Sequence, residues 1–154
     1  MMKENDMAEL TFANHITMKE LNPHNFALKN TYISNLISTA LNVIPILNEV
    51  IGVEHIKITR GFISNMYLRD RIKVPDWKMQ NMLKHTEGLA LEFTWKDFEF
   101  SDALLAAKEV KLSLQLKNEE VMVAIDTKRK RLHIILEPIT PGIFEETGIN
   151  YKLI

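Results

Sequence analysis

The sequence predicts an α+β domain, with an N-terminal helix packed on a small, mainly antiparallel sheet. Three observations predict it. Residues 31–51 carry Ile33, Leu36, Ile37, Ala40, Leu41, Ile44, Leu47 and Ile51 at helical spacing, one apolar stripe. Beyond residue 88, short alternating runs follow one another, separated by Gly, Asp or Pro. Helical and strand-like blocks are largely segregated along the chain, the pattern of α+β architectures rather than of βαβ repeats.

Each element follows from local chemistry. T-M-K-E-L at 17–21 has the Thr-x-x-Glu of a capping box and predicts one helical turn, broken by Asn22-Pro23. Asn30 is the expected N-cap of the long helix and Gly52 its stop. Pro45 removes the amide bond to the Leu41 carbonyl, so a kink is expected there. H-I-K-I-T at 55–59 alternates as a strand and exits through Arg60-Gly61. Residues 65–77 are mixed and charged and read as an insertion or irregular helix, with one or two helical turns over 77–83. S-D-A-L-L-A-A-K-E-V at 101–110 predicts a helix capped by Ser101, with Asp102 near the positive end of its dipole. K-L-S-L-Q-L at 111–116 alternates and reads as a strand. Residues 121–125 and 132–136 are two strands of a hairpin closed by 126–131. The tail I-N-Y-K-L-I places Ile149, Tyr151 and Leu153 on alternate positions, an apolar ribbon suited to docking.

Composition bounds the function. The chain has 154 residues, enough for one domain with a sizeable core. Lys and Arg total 19 against 20 Asp and Glu, a net charge of −1 that gives no bulk attraction to nucleic acid. The basic run Lys128–Arg131 reads as a soluble hairpin tip rather than a nucleic-acid contact. With no cysteine, disulfides and thiolate metal sites are excluded. The start, M-M-K-E-N-D-M, lacks the apolar run of a secretory signal, and no apolar stretch is expected to span a membrane. The domain plan is an N-terminal arm over 1–16, a folded domain over 17–137 and a docking tail over 138–154.

The stretch with most chemistry is K-H-T-E-G-L-A-L-E-F at 84–93. A turn at Glu87-Gly88 feeds a strand, so His85 before it and Glu92 after it can converge. Converging nitrogen and oxygen donors are half of a zinc site. Beside that reading stands the plain one, in which His85 is structural, Glu92 is a hydrogen-bonded carboxylate and Gly88 serves a positive φ. His15, His24 and His55 have no partners at metal spacing and read as surface residues. Trp77 and Trp95 read as packed against the edge of the core rather than as stacking platforms.

Several of these residues together resemble a known family. I-K-I-T-R-G-F-I-S at 56–64 is similar to the I-T-S-G-Y-R-S strand and turn of the zinc D-alanyl-D-alanine carboxypeptidases, the VanY-type murein peptidases with a Hedgehog-like fold. His85, Gly88, Ala90 and Glu92 stand in the register of that family's S-x-H-x-x-G-x-A-x-D. The likeness runs from about Thr17 to about Leu136 and includes the proline-bearing helix.

The resemblance implies a murein D,D-peptidase-like fold and zinc held by a first His, an acid and a final His. It also implies an acidic base before the final His and a substrate-holding Arg. His85 matches the first ligand; Glu92 replaces the expected Asp. Ala124, in V-M-V-A-I-D, stands where the final His is expected, with Glu119 or Glu120 as the surviving base. His133, in R-L-H-I-I, is the alternative third ligand. Ile63 occupies the arginine position, and Arg60 replaces a small Ser.

Alanine cannot ligate, and two ligands hold zinc poorly. The leading expectation is therefore a non-catalytic, peptidase-like module with no catalytic residue and no cofactor. The form expected is a bacteriophage virion or tail component, found in the virion or the host cytoplasm. It would join other subunits through its tail, with no membrane and no nucleic-acid partner. The alternative is an active zinc peptidase cleaving peptidoglycan cross-links. A non-cleaving cell-wall peptide binder is the third.

Overall fold

A 22-residue helix and a five-stranded antiparallel sheet organise the chain. The computed structural model describes residues Thr11–Ala13, 16–52, 56–68, 70, 83–137 and Tyr151–Leu153. In chain order these form β1 (Thr11–Ala13), β2 (Ile16–Thr17), α1 (Met18–Leu21), α2 (Asn30–Ile51), β3 (Ile56–Arg60) and α3 (Asn65–Tyr67). A 3-10 turn over Leu83–Glu87 follows, then β4 (Ala90–Trp95), α4 (Phe100–Leu116), β5 (Val121–Asp126), β6 (Arg131–Leu136) and β7 (Tyr151–Leu153). The α+β class predicted from the sequence is the class observed. His15, His55, Trp77, most of the predicted insertion over 65–77 and all but residue 83 of the turns predicted over 77–83 lie outside the described residues.

α1 forms as the capping box requires. The Thr17 side chain accepts from the Lys19 amide, and Glu20 reaches back to the Thr17 amide at 2.7 Å. The α2 helix starts at Asn30 with Lys29 at the cap position and no side-chain cap bond, so Asn30 is the first helical residue rather than the cap. The helix is continuous through Pro45, which is exposed, so the Leu41 carbonyl freed by the missing amide faces water.

The buried face of α2 is Leu36, Thr39, Ala40, Val43, Ile44 and Leu47. Leu41 is 55% exposed and does not belong to the core stripe. Contrary to the expectation from the sequence, α2 is long and apolar enough to cross a membrane by length and composition, because Glu49 is its only charge. Its buried face, however, packs on the sheet and on α4, the behaviour of a core helix.

The second long helix departs from its predicted bounds. α4 begins after Glu99, with no side-chain cap from Ser101, and runs on to Leu116. Residues 111–116, read as a strand from their alternation, complete this helix. Ala103, Ala106, Ala107, Val110 and Leu114 fall on one helical face and are buried, whereas Leu112 and Leu116 are 55% and 77% exposed. Burial of that face against α2 and β5 decides between the two periodicities.

The sheet order is β3-β4-β6-β5-β7. β6 lies between β4 and β5, so the β5–β6 hairpin presents its second strand to β4. Alternation then sorts the side chains. Leu91, Phe93, Trp95, Val123, Ile125, Leu132, Ile134 and Leu136 join the helices in the main core. Trp95 stacks on Phe98 at 4.3 Å, the packed position expected of it.

The opposite face carries Ala90, Met122, Ala124 and Ile135, covered by Ile63 and Leu68, together with buried Glu92, Asp126 and His133. The end of the predicted docking tail lies in this chain's own sheet: β7 pairs antiparallel with β5, Leu153 opposite Ala124. Residues 138–150 are outside the described set.

Two glycines fix the approach to the second face. A Cβ on Gly61 would fall inside the Leu21 carbonyl, so the chain leaving β3 passes α1 with no room for a side chain. Gly88 has φ +76°, and a Cβ there would lie 2.6 Å from the Tyr32 carbonyl oxygen of α2. The same turn is pinned to the helix by Thr39 Oγ1, which donates to the Gly88 carbonyl at 2.9 Å, and by Asn35 Nδ2, which donates to the Glu87 carbonyl at 3.0 Å.

Candidate functional site

The second face of the sheet gathers most of the candidate residues around Glu92. Its neighbour across β6 is His133, in Cα register, and Ala124 is the residue beyond His133 on β5. The ligand position assigned to Ala124 is thus one strand too far from Glu92, and His133 is the histidine the fold delivers beside it. Nε2 of His133 lies 2.9 Å from Glu92 Oε2. The linear distance along the chain misled, because the hairpin turn folds β6 between β4 and β5.

A register irregularity between Ile58 and Arg60 adds two further partners from β3. Thr59 Oγ1 donates to Glu92 Oε1 at 2.7 Å, while Arg60, the Cα partner of Glu92, places Nη1 3.8 Å from Oε2. An extra residue in one strand re-aims its side chains in this way. Nε of Arg131 lies 3.5 Å from Oε1. One carboxylate, 3% exposed, therefore has two guanidinium groups, an imidazole and a hydroxyl about it.

Burial alone would raise the Glu92 pKa. The His133 and Arg60 charges and the hydrogen bonds from His133 and Thr59 outweigh it and hold this carboxyl well below the usual carboxylate range.

His85 sits under the same face on the 3-10 turn and is fully buried. Its Nδ1 is 2.9 Å from the Gly61 carbonyl oxygen. A carbonyl only accepts, so Nδ1 bears the hydrogen and Nε2 carries the lone pair. Burial, then the positive charge of Arg60, lowers the His85 pKa to about 3 against the opposing pull of Gly61 and Glu92, so the ring is neutral at pH 7. Its Nε2 is buried with no hydrogen-bond partner among the described residues. An unsatisfied buried acceptor of this kind costs about 1–3 kcal/mol.

The zinc implied by the family resemblance would need these donors to converge with one position left open. A ring fixed by a carbonyl at Nδ1 with a bare Nε2 is how a histidine ligand is prepared. Against it, no group of three or more His, Asp or Glu among the described residues is placed to hold a metal ion. The residues as arranged do not fit a zinc ion, because cationic side chains already surround the central carboxylate.

The remaining candidates lie apart. Glu119 and Glu120 precede β5, and Glu120 is four residues from Ala124, roughly 13 Å along a strand. They line a separate 440 Å³ cleft with Asn35, Thr39 and Glu137. Neither reaches Glu92 as a base. Ile63 is buried among apolar side chains, and its amide donates to the His85 carbonyl at 3.4 Å. His24 is exposed, its ring 4.6 Å from Tyr67, in keeping with a surface role.

Arg131, expected only as part of a soluble hairpin tip, and Thr59, expected only as a strand residue, both reach Glu92. The signal for the charged face was present in parity: Glu92 between Leu91 and Phe93, and His133 between Leu132 and Ile134, are each one polar residue in a buried strand. No protein-family model, no curated protein and no solved structure matches this chain. The likeness to VanY-type peptidases rests on the order and spacing of the residues above.

Proposed function

We propose that this chain is a non-catalytic, peptidase-like domain that serves as a structural or interaction module, in its concrete form a component of a bacteriophage virion or tail. One observation carries the non-catalytic part: the carboxylate at the centre of the candidate site is neutralised from within, by Arg60 and Arg131 at 3.8 and 3.5 Å. A catalytic zinc needs three protein ligands and an open position, and it acidifies its water only when bound. A carboxylate already held by two guanidinium groups is a poor ligand, and among the described residues neither Glu119 nor Glu120 stands beside it as a base. The virion assignment comes from the family resemblance alone.

The second reading, a zinc peptidase acting on peptidoglycan cross-links, draws on the bare Nε2 of His85 and on His133 beside Glu92. Elemental analysis of the purified chain separates the two. We expect no stoichiometric zinc and no cleavage of peptidoglycan fragments with zinc added. One zinc per chain, lost in His85→Ala, overturns the non-catalytic reading.

A further inference from the structure

We infer that the outward face of α2 is the surface through which two copies of this chain pair, helix against helix and antiparallel. The inference goes beyond the non-catalytic reading and does not depend on it, because self-association and zinc content are separate measurements.

α2 and α4 share one layer, and their outward faces differ. α4 exposes Asp102, Lys108 and Glu109, the charges of a solvated helix. From Asn30 to Asn48 the exposed positions of α2 hold Asn, Thr, Ser, Pro and Leu41, with no charge. A solvated surface carries roughly a quarter to a third charged residues, whereas the centre of a protein interface is depleted of them. A groove of 690 Å³ runs along this face, with Ile33, Ile37 and Leu41 in its walls and Ser34 and Ser38 beside them. Leu41 is 55% exposed and is the apolar knob such a groove takes. A helix lying on a membrane carries Lys and Arg on its polar side, and α2 has neither.

A second copy suits this face better than a charged partner. An uncharged face meets its own image without repulsion, and in a twofold pair the same patch serves both sides. The ends of the helix set the direction. α2 has no acidic residue in its first turn and no basic residue in its last, so neither pole is balanced from within. Lys29 and the positive pole stand at its start, and Glu49 and the negative pole at its close, each ten residues from Thr39. Antiparallel pairing about the middle of the face puts each end beside its opposite, and parallel pairing puts like ends together.

The area is sufficient for a modest affinity. The 22 residues of α2 make a helix about 33 Å long and about 10 Å wide, so alone it offers roughly 330 Å². Leu112 and Leu116 on the neighbouring α4, 55% and 77% exposed, widen the contact to two helices and roughly 600 Å² per copy. About 1,200 Å² in all is the lower end for a specific pair, and Kd in the micromolar range is expected.

The test is sedimentation velocity on the full chain between about 1 and about 200 µM. Wild type is expected to pass from monomer to dimer, with Kd on the order of 10 µM. Leu41→Lys sets like charges against each other across the twofold and is expected to weaken pairing about tenfold or more, with the helical circular dichroism kept. Ser38→Glu repeats the test at a second exposed position. Glu49→Lys favours the isolated helix yet is expected to weaken pairing about threefold, and adding Lys29→Glu to it is expected to restore the wild-type Kd. Lys128→Glu, on the hairpin tip, leaves pairing unchanged.

A chain that stays monomeric at every concentration overturns the inference, whatever its zinc content. A dimer that survives both Leu41→Lys and Ser38→Glu places the interface elsewhere and overturns it as well. Tighter pairing in Glu49→Lys overturns the antiparallel arrangement. A monomer that floats with phosphatidylcholine vesicles makes the face a membrane surface and overturns the pairing.

Discussion

The two faces of the sheet are built from alternate residues of the same strands and held by different physics. On one face Leu91, Phe93, Leu132 and Ile134 meet the two long helices, and the attraction is apolar area removed from water. On the other, Glu92 and His133 occupy the intervening positions, and the attraction is between charges and dipoles that have lost their hydration. The first face tolerates changes of chemistry that keep volume. The second depends on particular partners, and its balance shifts with pH.

The sharpest comparison uses neighbours on β4. Phe93→Ala is expected to cost about 3–5 kcal/mol in urea unfolding, from lost transfer energy and the cavity left behind. Glu92→Gln keeps the volume and an acceptor for Thr59 but removes the charge that Arg60 and Arg131 face. Those arginines have side chains 18% and 31% exposed, so water recovers part of the loss, and about 1–3 kcal/mol is expected. A Glu92→Gln effect larger than that of Phe93→Ala would make the polar face the main support of the sheet.

Acid separates the faces next, since only one of them titrates. His85 is held near pKa 3 in the folded chain against 6.5 unfolded. The unfolded chain then binds the extra proton between these values, so this contribution is complete above pH 6.5 and declines as pH falls toward 3. Glu92 is depressed below its ordinary 4.5, so its contribution is present above that value and is lost as pH falls beneath it. Between about pH 6.5 and pH 5 the decline belongs to His85 and amounts to roughly 2 kcal/mol. His85→Asn, whose amide nitrogen lies at the level of Nδ1 and can donate to the Gly61 carbonyl, should flatten urea midpoints over that interval. An unchanged slope would move the acid sensitivity elsewhere.

The same division decides what was legible in the sequence. The apolar face was readable because periodicity is local. The stripe of α2, the β5–β6 hairpin and the Thr17 capping box all lie within windows of a few turns or strands. The charged face depends on strand order, which no local window contains. His133 reaches Glu92 because β6 inserts between β4 and β5, and Arg60 reaches it because β3 shifts register at Thr59. Sequence distance instead favoured Ala124, and Glu119 or Glu120 as its acid, none of which lies at the carboxylate. His85 and Glu92 were found because a single turn at Gly88 links them.

Local reading also failed on the apolar side over residues 111–116, and a pair of leucines tests why. In K-L-S-L-Q-L, a strand would place Leu112, Leu114 and Leu116 on one face and demand the same environment for all three. In α4 successive residues turn by about 100°, so Leu112 and Leu114 point in nearly opposite directions. Leu114 is fully buried behind Val110, and Leu112 is 55% exposed. Leu114→Ala should therefore cost about 2–5 kcal/mol, while Leu112→Lys should stay within about 0.5 kcal/mol, because lysine is a good helix former at a solvent-facing position. Equal and large losses at both would restore the strand and detach the end of α4 from the core. An unequal pair confirms that burial of Ala103, Ala106, Ala107, Val110 and Leu114 against α2 and β5 overrides the alternation of the last six residues.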